Sequence, residues 1–250
     1  MADVIIEALQ KAFEYVFLGT GPEVYATVGR TLYVTGMATL LACLWSIPIA
    51  VGIGLYSFRG KWIIKGLSTA LIGVPTVALG TLLYLLLSNQ GPLGFLGFLY
   101  TLNGIILGEA LLVTPIIVTF TSNALGTADT QLRDLARTLG ASGFRTNLAI
   151  IKETVWSMLL SVSAAFNRAA GELGIALIVG GNIFAQTRVL TTSIAVENNL
   201  GQFAFALAYA TILMIIIITV TLVITLIERW KQKEETLKIN YKWLLHKLGG

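Results

Sequence analysis

The chain has 250 residues, of which 56% are hydrophobic and only 12% charged, and its mean hydropathy is +0.80. That composition excludes an ordinary soluble domain and predicts several long uncharged segments inside a membrane. The formal net charge of +4 is small and gathers beside the apolar segments, as topology requires, so it forms no broad basic face for nucleic acid.

The chain begins MADVIIEALQK, which lacks the basic start and compact apolar core of a classical secretory peptide. Residues 5–19 interleave Ile5, Ile6, Leu9, Ala12, Phe13, Val16 and Phe17 with Glu7, Lys11 and Glu14. Three charges in so short a stretch suit an amphipathic helix on the membrane surface better than a span. The uncharged run Thr31–Ser57 is long enough for a first, tilted span, and Gly52, Gly54 and Pro48 allow close packing or bending. It is followed by FRGKWIIKG, in which Arg59, Lys61 and Lys65 have no acidic neighbour and mark the inside. A second span is expected over 67–87, bent at Pro75, before the uncharged outer turn SNQGPLG. The third, over 102–123, carries Pro115 and a lone Glu109, which either packs and orients the helix or moves protons.

Residues 130–140 (TQLRDLARTLG) cannot lie in hydrocarbon, because Arg133, Asp134 and Arg137 come too close together. Leu132, Leu135, Ala136 and Leu139 nevertheless recur at helical spacing, which predicts a separate short helix capped by Asp129 or Thr130 and ended by Gly140. One apolar stripe on so short a water-facing helix suits a protein partner at the membrane surface or, alternatively, the lipid headgroups. A basic hairpin containing Arg145 and Lys152 follows, and a fourth span begins near Thr154.

Asn167, Arg168 and Glu172 fall in that fourth span. Arg168 and Glu172 are four positions apart and can neutralise one another on a helix, supported by Asn167. The alternative is that Arg168 lends positive potential to an anion pathway. Asn182, Thr187, Arg188 and Thr191 then make a polar segment that lines an outer vestibule, meets another protein or is simply a solvated loop. A fifth span fits the uncharged run Leu200–Ile227, and the tail from Glu228 is net positive.

Five spans satisfy the charge pattern with the N-terminus outside and the C-terminus inside. The expected organisation is an amphipathic surface segment (1–27), a transmembrane domain (28–230) and a basic inner tail (231–250). By eye, no inverted repeat or matching pair of broken helices emerges. Cys43 is the only cysteine and His246 the only histidine, so neither a disulfide nor a metal cluster is expected. The sequence contains no phosphate-gripping GxxxxGKS or GxxxxGKT and no nucleophile triad, so any ATP that drives transport must bind another polypeptide.

Asp134, Leu135, Ala136, Gly140 and Ile150 follow the spacing of the Glu-Ala-Ala, Gly, Ile-x-Leu-Pro signature of ABC importer permeases. Asp134 stands for Glu, Leu135 for Ala, and Lys152 and Glu153 for Leu-Pro. Gly73 onward (GVPTVALG, with Pro75 and Thr76) resembles the Pro-Pro-Thr-Val-x-Gly region of molybdate, tungstate and sulfate permeases. Arg168, Gly171 and Glu172 resemble their Arg-x-x-Gly-Glu, and Gly181, Asn182, Ile183 and Thr187 their Gly-Asn-Ile-x-x-x-Thr. The stretch from Arg188 to Glu197 is most similar to the tungstate type.

The resemblance covers residues 25–230 and implies an all-α polytopic membrane protein with a type I importer core of about five helices, in a prokaryotic cytoplasmic membrane. It implies a homodimer fed by an extracytoplasmic tungstate-binding protein and driven by two ABC ATPase subunits, which carry the ATP and Mg; this chain itself needs no cofactor and is not an enzyme. Leu132, Arg133, Asp134, Leu135, Ala136, Arg137, Leu139 and Gly140 become the ATPase-coupling residues, with Arg133 and Arg137 orienting the helix at the rim of a groove. Pro75, Thr76, Asn167, Arg168, Glu172, Asn182, Thr187 and Arg188 become candidates for translocation or gating. Molybdate is the nearest alternative cargo, sulfate a further one. A secondary transporter using buried charge and a structural membrane module are the alternatives from other classes.

Overall fold

The computed structural model describes residues 2–14 and 22–248, giving the backbone alone for residues 231–248 and a few others including Arg137. Among the described residues all regular structure is helical. The helices are α1 (Ala2–Phe13), α2 (Pro22–Leu55), α3 (Lys61–Leu71), α4 (Thr76–Leu87), α5 (Leu102–Thr138), α6 (Gly143–Ala170), α7 (Gly174–Ile178), α8 (Leu190–Asn199) and α9 (Phe203–Leu248). Four of them, α2, α5, α6 and α9, are long and apolar enough to cross a membrane, and the sharply bent pair of α3 and α4 adds a fifth if it counts as one span. This is the polytopic helical architecture with about five spans that composition predicts.

α2 and α5 form the centre. Small residues on α2 (Ala38, Ala42) are fully buried among Ile105, Ala110, Val113 and Ile117 of α5, so the two backbones approach closely without a hydrophobic driving force from lipid. Toward the inner end, an added Cβ on Gly54 would stand 2.6 Å from Cβ of Leu125, which makes glycine a packing requirement there. α9 is the most lipid-exposed span, with only 11% of its most apolar window buried. α1 docks on its N-terminal end: Ala8 is buried and Lys11 Nζ sits 4.0 Å from the centre of the Phe205 ring while pairing with Glu7 at 2.6 Å. The surface segment therefore packs on protein as well as facing lipid. Its predicted continuation through Val16 and Phe17 lies outside the described residues.

Several boundaries differ from expectation. α2 begins at Pro22 and α9 runs on past Trp230, so helices cross both expected domain limits. The short coupling helix is not separate: it is the last part of the 37-residue α5, which continues past the membrane. Asp129 consequently caps nothing and instead pairs with Arg133 one turn on, at 2.5 Å. Gly140 does end the helix, at φ 75°, and the N–H of Ala141 returns to the carbonyl of Ala136 at 3.0 Å. The expected basic hairpin is only a tight turn, because α6 starts at Gly143 rather than near Thr154. Charged residues at an inner membrane border do not stop a helix, since its backbone bonds are satisfied internally in water and lipid alike.

The second span is not bent but broken. α3 and α4 meet at 98°, with Pro75 in extended conformation (φ −61°, ψ 122°) just before α4. A second break follows α6, where the chain leaves the helix at Gly171 and re-enters it as the five-residue α7. The two breaks meet where Gly174 packs against Thr76 and Val77.

Candidate functional site

α6 ends at Ala170, and the N–H of Glu172 bonds the carbonyl of Ala169 at 2.9 Å, which turns the Glu172 side chain back along the helix. Its Oε2 accepts from Nη1 of Arg168 at 2.8 Å, and its Oε1 accepts from the N–H of Ile175 at 3.2 Å. Glu172 thus neutralises one cation and satisfies a backbone donor at the start of α7. Its own carbonyl is taken by Thr191 Oγ1 of α8 at 2.8 Å. The carboxylate is 2% exposed, whereas the Arg168 side chain is 37% exposed. Part of the Arg168 side chain therefore stays accessible while Glu172 balances its charge.

The second break closes on the same point. A Cβ built on Gly174 would come 2.9 Å from Thr76 Oγ1, 3.1 Å from Val77 N and 3.2 Å from Glu172 Oε1. A side chain at position 174 would crowd Thr76 and Val77, so glycine eases the close approach of the start of α7 to the start of α4. Pro75 is exposed at the break.

Glu109 of α5 borders this cluster. It is 2% exposed, and its Oε2 has no hydrogen-bond partner. With Thr31, Thr35, Ala169, Glu172 and Thr191 it lines a gap that has no room for a water molecule. Asn167 does not support the ion pair as expected: it turns the other way and donates to Thr221 Oγ1 of α9 at 2.8 Å. Helical spacing places Asn167 about 100° around α6 from Arg168, which sends it to a different neighbour.

The polar outer segment folds on itself. Thr187, 2% exposed, donates to the carbonyl of Gly180 at 2.6 Å and accepts from the N–H of Ile183 at 2.8 Å. Arg188 Nε donates to Asn182 Oδ1 at 3.2 Å, and its guanidinium lies 5.1 Å from the centre of the Phe184 ring. Thr187 and Asn182 are thus braces of a compact loop, and Thr191 starts a helix, α8, rather than continuing a solvated segment.

Around the end of α5, Leu135 is 58% and Leu139 79% exposed, and Asp134 and Gly140 are exposed with them; Ala136 is half-buried. Leu132 instead turns inward, against the buried cluster of Leu55, Leu125, Ile150 and Met158. Arg133 also turns inward and spends its guanidinium on Asp129, Leu55 and Asn147. The side chain of Arg137 lies outside the described residues. Phe144, 79% exposed just beyond the turn, joins the apolar face; it was missed because its run, SGFRT, carries no helical stripe.

Residues 46–233 match the family model for the inner membrane component of binding-protein-dependent transport systems. The chain belongs to that family. A tungstate uptake system permease protein of Peptoclostridium acidaminophilum is 34% identical over 206 residues, covering 82% of this chain and 90% of the relative. One of Campylobacter jejuni is 31% identical over 206 residues, covering 82% and 86%. A molybdate/tungstate transport system permease protein of Pyrococcus furiosus is 27% identical over 175 residues, covering 70% and 65%. This protein is accordingly a multi-pass inner-membrane permease subunit, and the matched region contains both helix breaks, the Arg168–Glu172 pair and the exposed end of α5. Sequence reasoning passed over Arg30 and Thr31 of this permease. An arginine at the edge of an uncharged run gives the one available signal, since a charge placed there needs a partner.

Proposed function

We propose that this permease is the membrane-spanning subunit of an ATP-driven tungstate importer, forming the oxyanion pathway and coupling it to separate ATPase subunits. The carrying observation is the identity with two tungstate uptake permeases over four-fifths of the chain. A second copy of the chain would complete the pathway, with two ABC ATPases holding ATP and Mg on the inside and a tungstate-binding protein outside. The N-terminus lies outside and the C-terminus inside, in keeping with Arg59, Lys61 and Lys65 on one side of the membrane.

No bond in the oxyanion changes, so the work is conformational. The exposed Leu135, Leu139 and Phe144 offer an apolar key whose burial against an ATPase groove favours docking. Closure of the ATPases would move α5, and the broken spans around Gly174 give the pathway parts that rearrange without unfolding a continuous helix. Arg168 attracts a dianion while Glu172 keeps the guanidinium from binding it too tightly to leave.

Molybdate is the second reading, favoured by the relative whose name carries both anions. Both are tetrahedral dianions of similar size, so the buried donors of the binding protein must supply most of the discrimination. Uptake of radiolabelled tungstate and molybdate into proteoliposomes, with and without ATP and the binding protein, tests the proposal. Tungstate uptake that needs both supports it; uptake driven by a proton gradient without ATP overturns it.

A further inference from the structure

α2 touches both ends of the machinery. At its outer end Arg30 Nε donates to the carbonyl of Arg188 at 2.9 Å and Nη1 to that of Ala185 at 3.3 Å. One turn of the same helix presents Thr31 Oγ1 to the N–H of Leu190 at 2.9 Å. The loop so held contains two non-glycine residues in the left-handed region, Asn182 (φ 50°) and Ala185 (φ 57°), a conformation that persists only where surrounding contacts impose it. A forked guanidinium that grips two carbonyls fixes both the position and the direction of the loop, which a single ammonium cannot do.

At its inner end α2 stops at Leu55, and its last carbonyls have no partner within the helix. Cations from two other elements take them. Lys61 Nζ of α3 donates to the carbonyls of Gly54 and Tyr56, both at 3.1 Å. Arg133 Nη2 of α5 donates to that of Leu55 at 3.4 Å, where the negative end of the helix dipole favours it. The same guanidinium reaches Asn147 of α6 at 3.1 Å and Asp129 at 2.6 Å. Arg133 lies within one turn of the exposed Leu135 and within two of Leu139. Between the two ends, α2 is packed against α5 from Val34 to Gly54, so displacement at one end is carried by a rod and not lost in a loop.

We infer that Arg30 and Arg133 are positioning residues at the two ends of one mechanical link, through which α2 relays movement of the inner end of α5 to the outer loop at Asn182–Val189. The link rests on the reading of the chain as an ATP-coupled permease. It assigns Arg133 to an intramolecular joint and gives Arg30 a part in coupling although it is remote from the ATPase.

The test uses the full complex in proteoliposomes, reading the ratio of ATP hydrolysis with loaded binding protein to hydrolysis without it. In Arg30→Ala and Arg133→Ala the ATPase is expected to remain in a detergent pull-down, while the stimulation ratio falls about tenfold, within the range of ordinary coupling energies. The double variant is expected to be no worse than either single one, because a link cut once transmits nothing. Additive losses, unchanged stimulation in Arg30→Ala, or loss of the ATPase from the pull-down in Arg133→Ala overturns the link. If an alanine variant does not assemble, the lysine variants keep the charge and lose the fork; full stimulation in both overturns it as well. A wild-type complex that is not stimulated by the loaded binding protein refutes the importer reading itself, which separates the two failures.

Discussion

Replacing Glu172 tests the centre of the Arg168–Glu172 cluster most directly. In Glu172→Ala two hydrogen bonds to an ionised acceptor are lost, the 2.8 Å contact from Arg168 and the 3.2 Å contact from Ile175 N–H. Such bonds contribute about 1.5–3 kcal/mol each. The Arg168 side chain is 37% exposed, so water recovers much of its share, which falls toward the roughly 1 kcal/mol of a surface pair. The expected loss is therefore about 2–4 kcal/mol, and smaller for Glu172→Gln, which still accepts from Ile175. Arg168→Ala should cost more, about 3–5 kcal/mol, because it strands a carboxylate that is only 2% exposed. The double alanine variant should recover part of that loss.

Exchanging the two charges (Arg168→Glu with Glu172→Arg) should fail to restore stability, since an arginine at 172 has no acceptor for the Ile175 N–H. Unfolding in mixed micelles, followed by helical circular dichroism along an SDS titration, measures all four corners of the cycle. Zero coupling energy between positions 168 and 172 would refute the pair. Full recovery on charge exchange would refute the role of Glu172 in anchoring α7.

Gly174→Ala should destabilise the protein by about 1–3 kcal/mol through overpacking against Thr76 and Val77, read as a lower midpoint in the same titration; an unchanged midpoint would show that the two breaks do not meet. Glu109→Gln keeps the shape of the buried side chain but cannot exchange a proton, so ATP-driven uptake should persist, and its abolition with assembly intact would favour a proton-carrying role. Leu135→Asp should release the ATPase in a pull-down while the permease still inserts, because position 135 is 58% exposed and needs desolvation only on docking. With Cys43 replaced, cysteines introduced at 65 and 137 should resist an impermeant thiol reagent in right-side-out vesicles while those at 89 and 188 react; labelling at 137 would reverse the topology.

The sequence by itself determined the class, the number of spans and the places where charge must find a partner. Hydrocarbon tolerates so little polarity that composition and charge placement alone separate spans from loops, and Arg168 with Glu172 could be paired by spacing. Leu135 and Leu139 were legible as an exposed apolar stripe because an apolar residue in a charged, water-facing segment has no local reason to be there. What only the tertiary structure decided is which side each residue serves. Leu132 and Arg133 sit on the same helix as Leu135 but turn to the core, and no periodicity distinguishes a stripe facing α2 from one facing another protein. The contact of Gly174 with Thr76 was likewise unreadable, since the two positions lie more than 90 residues apart in the chain. Nor could Arg30 be matched to the carbonyls of Ala185 and Arg188, because backbone acceptors are the same at every residue and only the folded chain selects which of them a guanidinium meets.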